Sequence, residues 1–145
     1  MFCGSFPAKI DEKSRLRLPA KFRQLIEEKE NSFFVTSDNG ECAHIYPWTV
    51  WEKIVEKLQE HPKMSPVKVK YQTVTNFYGL QTEMDPQGRI LIPQRLRDKA
   101  QISGDVVVIG ENDHMVVWNE SIIQKNVEAN PITQEDREAL ADLGI

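Results

Sequence analysis

Three kinds of side chain in this sequence have chemistry to offer: basic groups that neutralise phosphate, histidines and cysteines that ligate metals, and carboxylates that carry protons. The basic groups are the patterned ones. Asp11-Glu12-Lys13-Ser14-Arg15-Leu16-Arg17-Leu18-Pro19 and Asp85-Pro86-Gln87-Gly88-Arg89-Ile90-Leu91-Ile92-Pro93 both read Asp-x-x-(Ser/Gly)-Arg-apolar-x-apolar-Pro, 74 residues apart. The register continues past the proline, setting Lys21, Phe22 and Arg23 opposite Arg95, Leu96 and Arg97. Further on, Ala43-His44-Ile45-Tyr46 aligns with Met115-Val116-Val117-Trp118 at a register of 72. The chain is an internal duplication of one supersecondary unit.

Charge follows the duplication. The net charge is −4, which by itself argues against a polyanionic partner. Its distribution says otherwise. Residues 9 to 23 hold six basic and two acidic groups, residues 83 to 99 hold four and three, and the remainder carries −9. A basic footprint on an otherwise acidic chain is the electrostatic requirement for binding nucleic acid. Arg15 and Arg89 are the first candidates for DNA contact, followed by Lys13, Arg17, Lys21, Arg23, Arg95 and Arg97.

The other chemistries are poorly supported. His44, His61 and His114 are isolated from one another in sequence, so no metal site is expected, and no nucleophile motif or phosphate-binding glycine loop accompanies them. Asp11 and Asp85 occupy equivalent turn positions, where a carboxylate caps backbone amides more readily than it moves protons. Cys3 and Cys42 lack metal-type spacing and read as small apolar residues. No enzyme activity and no cofactor are expected.

The elements that position the arginines follow from the same motif. Asp opens a turn, and Gly88, or Ser14 in the first copy, sits where positive φ is wanted. A short strand then alternates faces, with Leu16, Leu18, Ile90 and Ile92 on one side and Arg15, Arg17 and Arg89 on the other. Proline ends the pairing and suits the start of a short helix, with Phe22, Leu25 and Ile26 at helical spacing. Each copy then has a hairpin: residues 33–36 and 42–46 around the turn Ser37-Asp38-Asn39-Gly40, and residues 106–109 and 115–118 around Gly110-Glu111-Asn112-Asp113. Trp51, Ile54, Val55 and Leu58 form a helical stripe.

Residues 67 to 78 fit both periods, but Ser65 as N-cap, Pro66 at the first position and Gly79 as terminator select a helix. Asn119 opens another helix, carrying Ile122, Ile123 and Val127. Thr133 and Asp136 suit a capping box for a last one, in a tail of residues 131 to 145 with no counterpart in the duplication. At 145 residues the chain is long enough for one shared core, whereas each half alone is marginal. Apolar runs are no longer than a strand, and neither a signal pattern nor a membrane span is expected, which points to the cytoplasm.

The doubled motif, the opening Met1-Phe2-x-Gly4 and the run Tyr46-Pro47-Trp48-Thr49-Val50-Trp51-Glu52 together resemble the MraZ family of bacterial transcriptional regulators, within the SpoVT-AbrB-like group of DNA-binding proteins. The resemblance covers roughly residues 1 to 125. It implies an α+β fold in which two pseudo-repeated, swapped-hairpin AbrB-like β units form one barrel-like core with flanking helices. The units are residues 5–49 and 79–121, with a helical connection over 50–78 and a helical tail over 122–145. It also implies a sequence-specific repressor of the division and cell-wall gene cluster, its own promoter included. Such a protein binds repeated sites on double-stranded DNA as a ring-like homo-oligomer, in the cytoplasm at the nucleoid.

Two features depart from the family pattern. Ser14 stands where glycine is usual, and Leu91 replaces the counterpart of Arg17, so the two copies present unequal basic faces. An alternative of another class is a protein-interaction module of antitoxin type whose DNA binding is secondary. A short tail and a complete duplication favour the regulator.

Overall fold

The computed structural model describes residues 1–26 and 29–145. The first half supplies strands β1 (Ser5–Lys9), β2 (Arg15–Arg17), β3 (Ser32–Thr36) and β4 (Ala43–Pro47), with α1 (Ala20–Arg23) after β2 and α2 (Trp48–Gln59) after β4. Helix α3 (Pro66–Tyr78) leads to the second half. There β5 (Leu80–Glu83), β6 (Arg89–Leu91), α4 (Gln94–Ala100), β7 (Asp105–Glu111), β8 (His114–Asn119) and α5 (Glu120–Ala129) repeat the order, and α6 (Gln134–Ala141) follows.

All strand pairing is antiparallel, so the chain is α+β. One sheet has the order β1-β7-β8-β4-β3-β5, and β2 pairs with β6 in a separate ribbon. The order is pseudo-palindromic about the β4–β8 seam. Each half lends its first strand to the other: β1 pairs with β7 and β5 pairs with β3. Neither half completes its sheet alone, which is why the duplicated sequence makes one core. Among the described residues the ladder stays open from β1 to β5, and no closed barrel is formed by strand pairing. Pro7, which has no amide to donate, lies in β1 at the edge, where a ladder tolerates it.

The core is the inward face of both copies. Leu16, Leu18, Ile90, Ile92, Phe22 and Leu96 are all at most 1% exposed, and they pack with Phe33, Ile45, Val106 and Met115 from the sheet. Phe22 receives the rings of Phe2 and Phe6 edge-on, with centroids 5.5 and 5.1 Å away. Burial of these large apolar side chains, each stabilising by about 1.5–3 kcal/mol, dominates the energetics.

Several elements differ from the sequence reading. The strands β1 and β5 lie outside the strands read from the sequence; β1 alternates in burial but carries Pro7, β5 does not alternate, and both form because the other half offers an edge. Helix α1 is only four residues long, and Leu25 is 51% exposed, so the spacing of Phe22, Leu25 and Ile26 overstated it. Strand β7 runs on through Gly110 and Glu111, and the hairpin turns at Asn112-Asp113 alone, with Asn112 at φ 66°.

Helix α3 has the expected ends, but for another reason at Gly79. Ser65 accepts a hydrogen bond from the Lys68 amide at 3.4 Å, whereas Gly79 has an extended backbone (φ −84°) rather than a left-handed one. Glycine is needed there because a Cβ would collide with the Phe34 ring and the Thr75 carbonyl oxygen. Buried Lys68 donates from Nζ to the His61 carbonyl oxygen at 3.1 Å, tying α3 to the segment after α2. Cys3 and Cys42 are free thiols, and burial pushes the Cys42 thiol up to about 12.

Candidate nucleic-acid interface

Both motif turns are built alike. The Asp11 carbonyl oxygen accepts the Ser14 amide at 3.0 Å, and the Asp85 carbonyl oxygen accepts the Gly88 amide at 2.9 Å. Asp11 Oδ1 accepts the amides of Lys13 and Arg15, each at 2.9 Å, and Asp85 Oδ1 accepts those of Gln87 and Arg89 at the same distance. Closing so tight a turn requires left-handed backbone at the fourth residue, and Ser14 (φ 65°) and Gly88 (φ 78°) both adopt it. The expectation that the two motifs share a backbone is met, although Ser14 carries a Cβ into that region.

The second carboxylate oxygen of each turn holds the following arginine. Arg15 Nε donates to Asp11 Oδ2 at 3.1 Å and Arg89 Nε to Asp85 Oδ2 at 2.7 Å. Each guanidinium also approaches the opposite turn: Arg15 Nη1 lies 3.9 Å from Asp85 Oδ2, and Arg89 Nη1 lies 3.9 Å from Asp11 Oδ2. Two aspartates and two arginines thus form a crossed network about the pseudo-dyad. Hydrogen bonds to the ionised carboxylates favour their charged form. The Arg15 amide holds the Asp11 carboxyl below its ordinary value first of all, as the Arg89 amide does for Asp85.

Between the turns lies the β2–β6 ribbon, in the register Arg15–Leu91, Leu16–Ile90 and Arg17–Arg89. Leu16 and Ile90 point into the core, so Arg15, Arg17, Arg89 and Leu91 form the outer face. The eight basic residues singled out in the sequence do not share one role. Arg15 and Arg89 are about a quarter exposed and ion-paired. Arg23 Nε donates to the Leu18 carbonyl at 3.1 Å and Arg97 Nε to the Ile92 carbonyl at 2.8 Å, so this pair braces the strand ends. Arg95 stacks on Phe77, its guanidinium carbon 4.1 Å from the ring centroid, and donates to the Phe77 carbonyl at 3.2 Å. Lys13, Arg17 and Lys21 are exposed, and among the described residues their side-chain cations have no acidic partner.

A guanidinium has five N–H donors, and the aspartates engage only part of each fork, so Arg15 and Arg89 keep donors for an outside acceptor. The motif segments therefore offer two pre-oriented arginines and three exposed cations, of which Arg17 lies on the ribbon's outer face, Lys13 in the first turn and Lys21 in α1. The motif pattern located these side chains. It did not disclose the crossed ion pairs, Arg15 with Asp85 and Arg89 with Asp11, which join the two copies, nor the Arg95–Phe77 stack.

A family model described as "MraZ protein, putative antitoxin-like" matches residues 1–73 and 80–142. The chain belongs to the MraZ family. Its relatives include the protein named "Transcriptional regulator MraZ" of Acidobacterium capsulatum, 48% identical over the full length of both chains. Proteins of the same name from Koribacter versatilis and Pediococcus pentosaceus are 44% and 30% identical, again over the full length of both chains. The two regions matched by the MraZ model each contain one turn, one ribbon strand and one hairpin.

Helices in this structure are short, and among the described residues none is long and apolar enough to cross a membrane. The structure also assembles a cluster that the sequence reading separated. His44 Nδ1 lies 3.1 Å from His114 Nε2, with Glu111 close by. Separations of 70 residues between the histidines left no local spacing by which to find it.

Proposed function

We propose that this protein is a sequence-specific DNA-binding transcriptional regulator, a repressor of the division and cell-wall gene cluster that includes its own promoter. The single observation that carries the DNA-binding reading is the β2–β6 ribbon, whose outer face holds Arg15, Arg17 and Arg89 while its inner face is locked into the core. A two-stranded ribbon fits the width of the major groove, where arginine reads guanine edges and lysine neutralises phosphate. In this reading Arg15, Arg17 and Arg89 face the groove, Lys13 and Lys21 contact the backbone, and Arg23, Arg95 and Arg97 brace the elements and add positive potential. The units 5–49 and 79–121 act as two unequal readers, since Leu91 stands opposite Arg15 in the ribbon where the first copy has Arg17 in the equivalent motif position. The chain acts as a ring-like homo-oligomer with a barrel-like core, works at the nucleoid in the cytoplasm, and catalyses nothing. The names of its relatives support regulation.

The test is a gel shift with the DNA upstream of the protein's own gene. Arg17→Ala and Lys21→Ala, both exposed and without an acidic partner among the described residues, are expected to weaken binding with unchanged circular dichroism. Full affinity in the double variant would move the DNA surface elsewhere. A second reading, capture of a protein partner in antitoxin fashion, is favoured by the family description and by the exposed Leu143 (74%) and Ile145 (82%) of the tail. A pull-down in which the full chain and a chain lacking residues 131–145 recover the same proteins removes the tail's support for that reading.

A further inference from the structure

His44 on β4, Glu111 at the end of β7 and His114 at the start of β8 each offer one donor atom, and these atoms all lie within 4.8 Å of one another. Two of the separations are 3.1 Å, between His44 Nδ1 and His114 Nε2, and 3.4 Å, between His114 Nε2 and Glu111 Oε2. Donors bound tetrahedrally at about 2.0–2.1 Å from zinc stand roughly 3.3–3.4 Å apart. The cluster is therefore already close to the edge lengths of a coordination tetrahedron. The remaining adjustment falls to Glu111, whose side chain is 50% exposed and free to swing.

The surroundings orient the donors. His114 Nδ1 lies 2.8 Å from Asp113 Oδ1. A carboxylate at that nitrogen fixes the N–H there and turns the Nε2 lone pair toward the cluster, the arrangement that supports metal-bound histidines. Tyr46 stacks on the His114 ring, with centroids 4.3 Å apart and planes 17° from parallel, and on His44 at 6.0 Å. His44 Nε2 has Cys42 Sγ at 3.6 Å, which leaves Nδ1 as its cluster-facing atom.

With an N–H at Nδ1 held by Asp113, the Nε2 of His114 faces both His44 Nδ1 and Glu111 Oε2. A divalent cation satisfies all three atoms together. The geometry points to a binding site for one zinc-class divalent transition-metal ion, held by His44, His114 and Glu111, with solvent as the fourth ligand. Two imidazoles and one carboxylate suit zinc or cobalt and not magnesium or calcium, which prefer oxygen donors throughout. The site joins the hairpin of one half to that of the other across the β4–β8 seam. It occurs once per chain, because the register of 72 puts Val116 opposite His44 and Cys42 opposite His114.

The experiment uses the full chain, stripped with EDTA, dialysed and titrated with zinc chloride by calorimetry, with magnesium chloride as control. One zinc per chain and a zinc-dependent rise in melting temperature are expected, and cobalt is expected to give the strong visible absorption of a tetrahedral site. Glu111→Gln and Asp113→Asn lie on exposed side chains and preserve shape, so they test the site without threatening the fold. Each should weaken zinc binding at least about tenfold, and His114→Ala should abolish it, whereas His61→Ala should leave it unchanged. Zinc binding no tighter than magnesium binding overturns the assignment, as does stoichiometric binding that survives His114→Ala and Glu111→Gln.

Discussion

At Ser14 a single side chain sits in a conformation its pseudo-symmetric counterpart reaches without a Cβ. Left-handed backbone costs an L-residue about 1–2 kcal/mol, whereas glycine adopts it freely. Ser14→Gly should therefore stabilise the fold by roughly 1 kcal/mol, less the entropy that glycine returns to the unfolded chain. Gly88→Ser should destabilise by more, because its new Cβ also meets the Arg23 side chain. Thermal melts of the two variants decide this, and a lower melting temperature for Ser14→Gly would contradict the strain. The neighbouring aspartates make a pH prediction. Their folded-state affinity for protons is lowered, so their contribution to stability is fully present above the ordinary carboxylate range near pH 4. It disappears as pH falls through the lowered values. Asp11→Asn should melt lower than wild type at pH 6 and lose less on acidification toward pH 2. Parallel melting curves in acid would show that the crossed network contributes nothing.

The ribbon and α3 behave as elements set by what they pack against. Strands β2 and β6 are three residues each, too short to persist alone, and are held by Leu16 and Ile90 beneath and by the Asp–Arg network above. Helix α3 reaches the sheet through Thr36, whose hydroxyl donates to the Thr75 carbonyl at 2.6 Å, and through the close approach of Gly79 to Phe34. Gly79→Ala requires the Phe34 ring to move away from its stack on Trp51, where the centroids are 4.6 Å apart. Overpacking of this kind costs about 1–3 kcal/mol. Chemical denaturation should report a loss of that size, whereas Glu138→Ala on the exposed helix α6 should change stability far less; equal effects would disprove the packing role.

For the whole molecule, positive charge is local and the balance is acidic, so one chain offers few phosphate contacts. Tight operator binding then needs several chains acting together, through effective concentration. Each phosphate neutralised adds about 0.9 to the magnitude of the slope of log K against log salt. A steep slope, scaling with the mass of the bound assembly, is expected when affinity is measured across salt concentrations alongside the mass of the complex. A flat response, or tight binding by a monomer, would contradict oligomeric DNA recognition.

Wherever local chemistry decides conformation, the sequence alone determined the outcome. Asp11, Ser14, Asp85 and Gly88 specified two equivalent turns, Leu16 and Ile90 specified which ribbon face is buried, and Ser65-Pro66 and Thr133-x-x-Asp136 marked helix starts, the latter confirmed as a capping box. The basic motif segments were legible because charge and duplication are properties of the linear chain. Tertiary structure decided what depends on distant partners. The exchange of β1 and β5 between halves arises because each finds its edge in the other copy, and a local period, such as that of β1, does not name the partner strand. The engagement of Arg15 and Arg89 with both aspartates, and the meeting of His44 with His114, are set by two seams, β2–β6 and β4–β8, that join residues some 70 positions apart. Such pairings exist only once the two halves have shared a core, because neither half can complete its sheet alone.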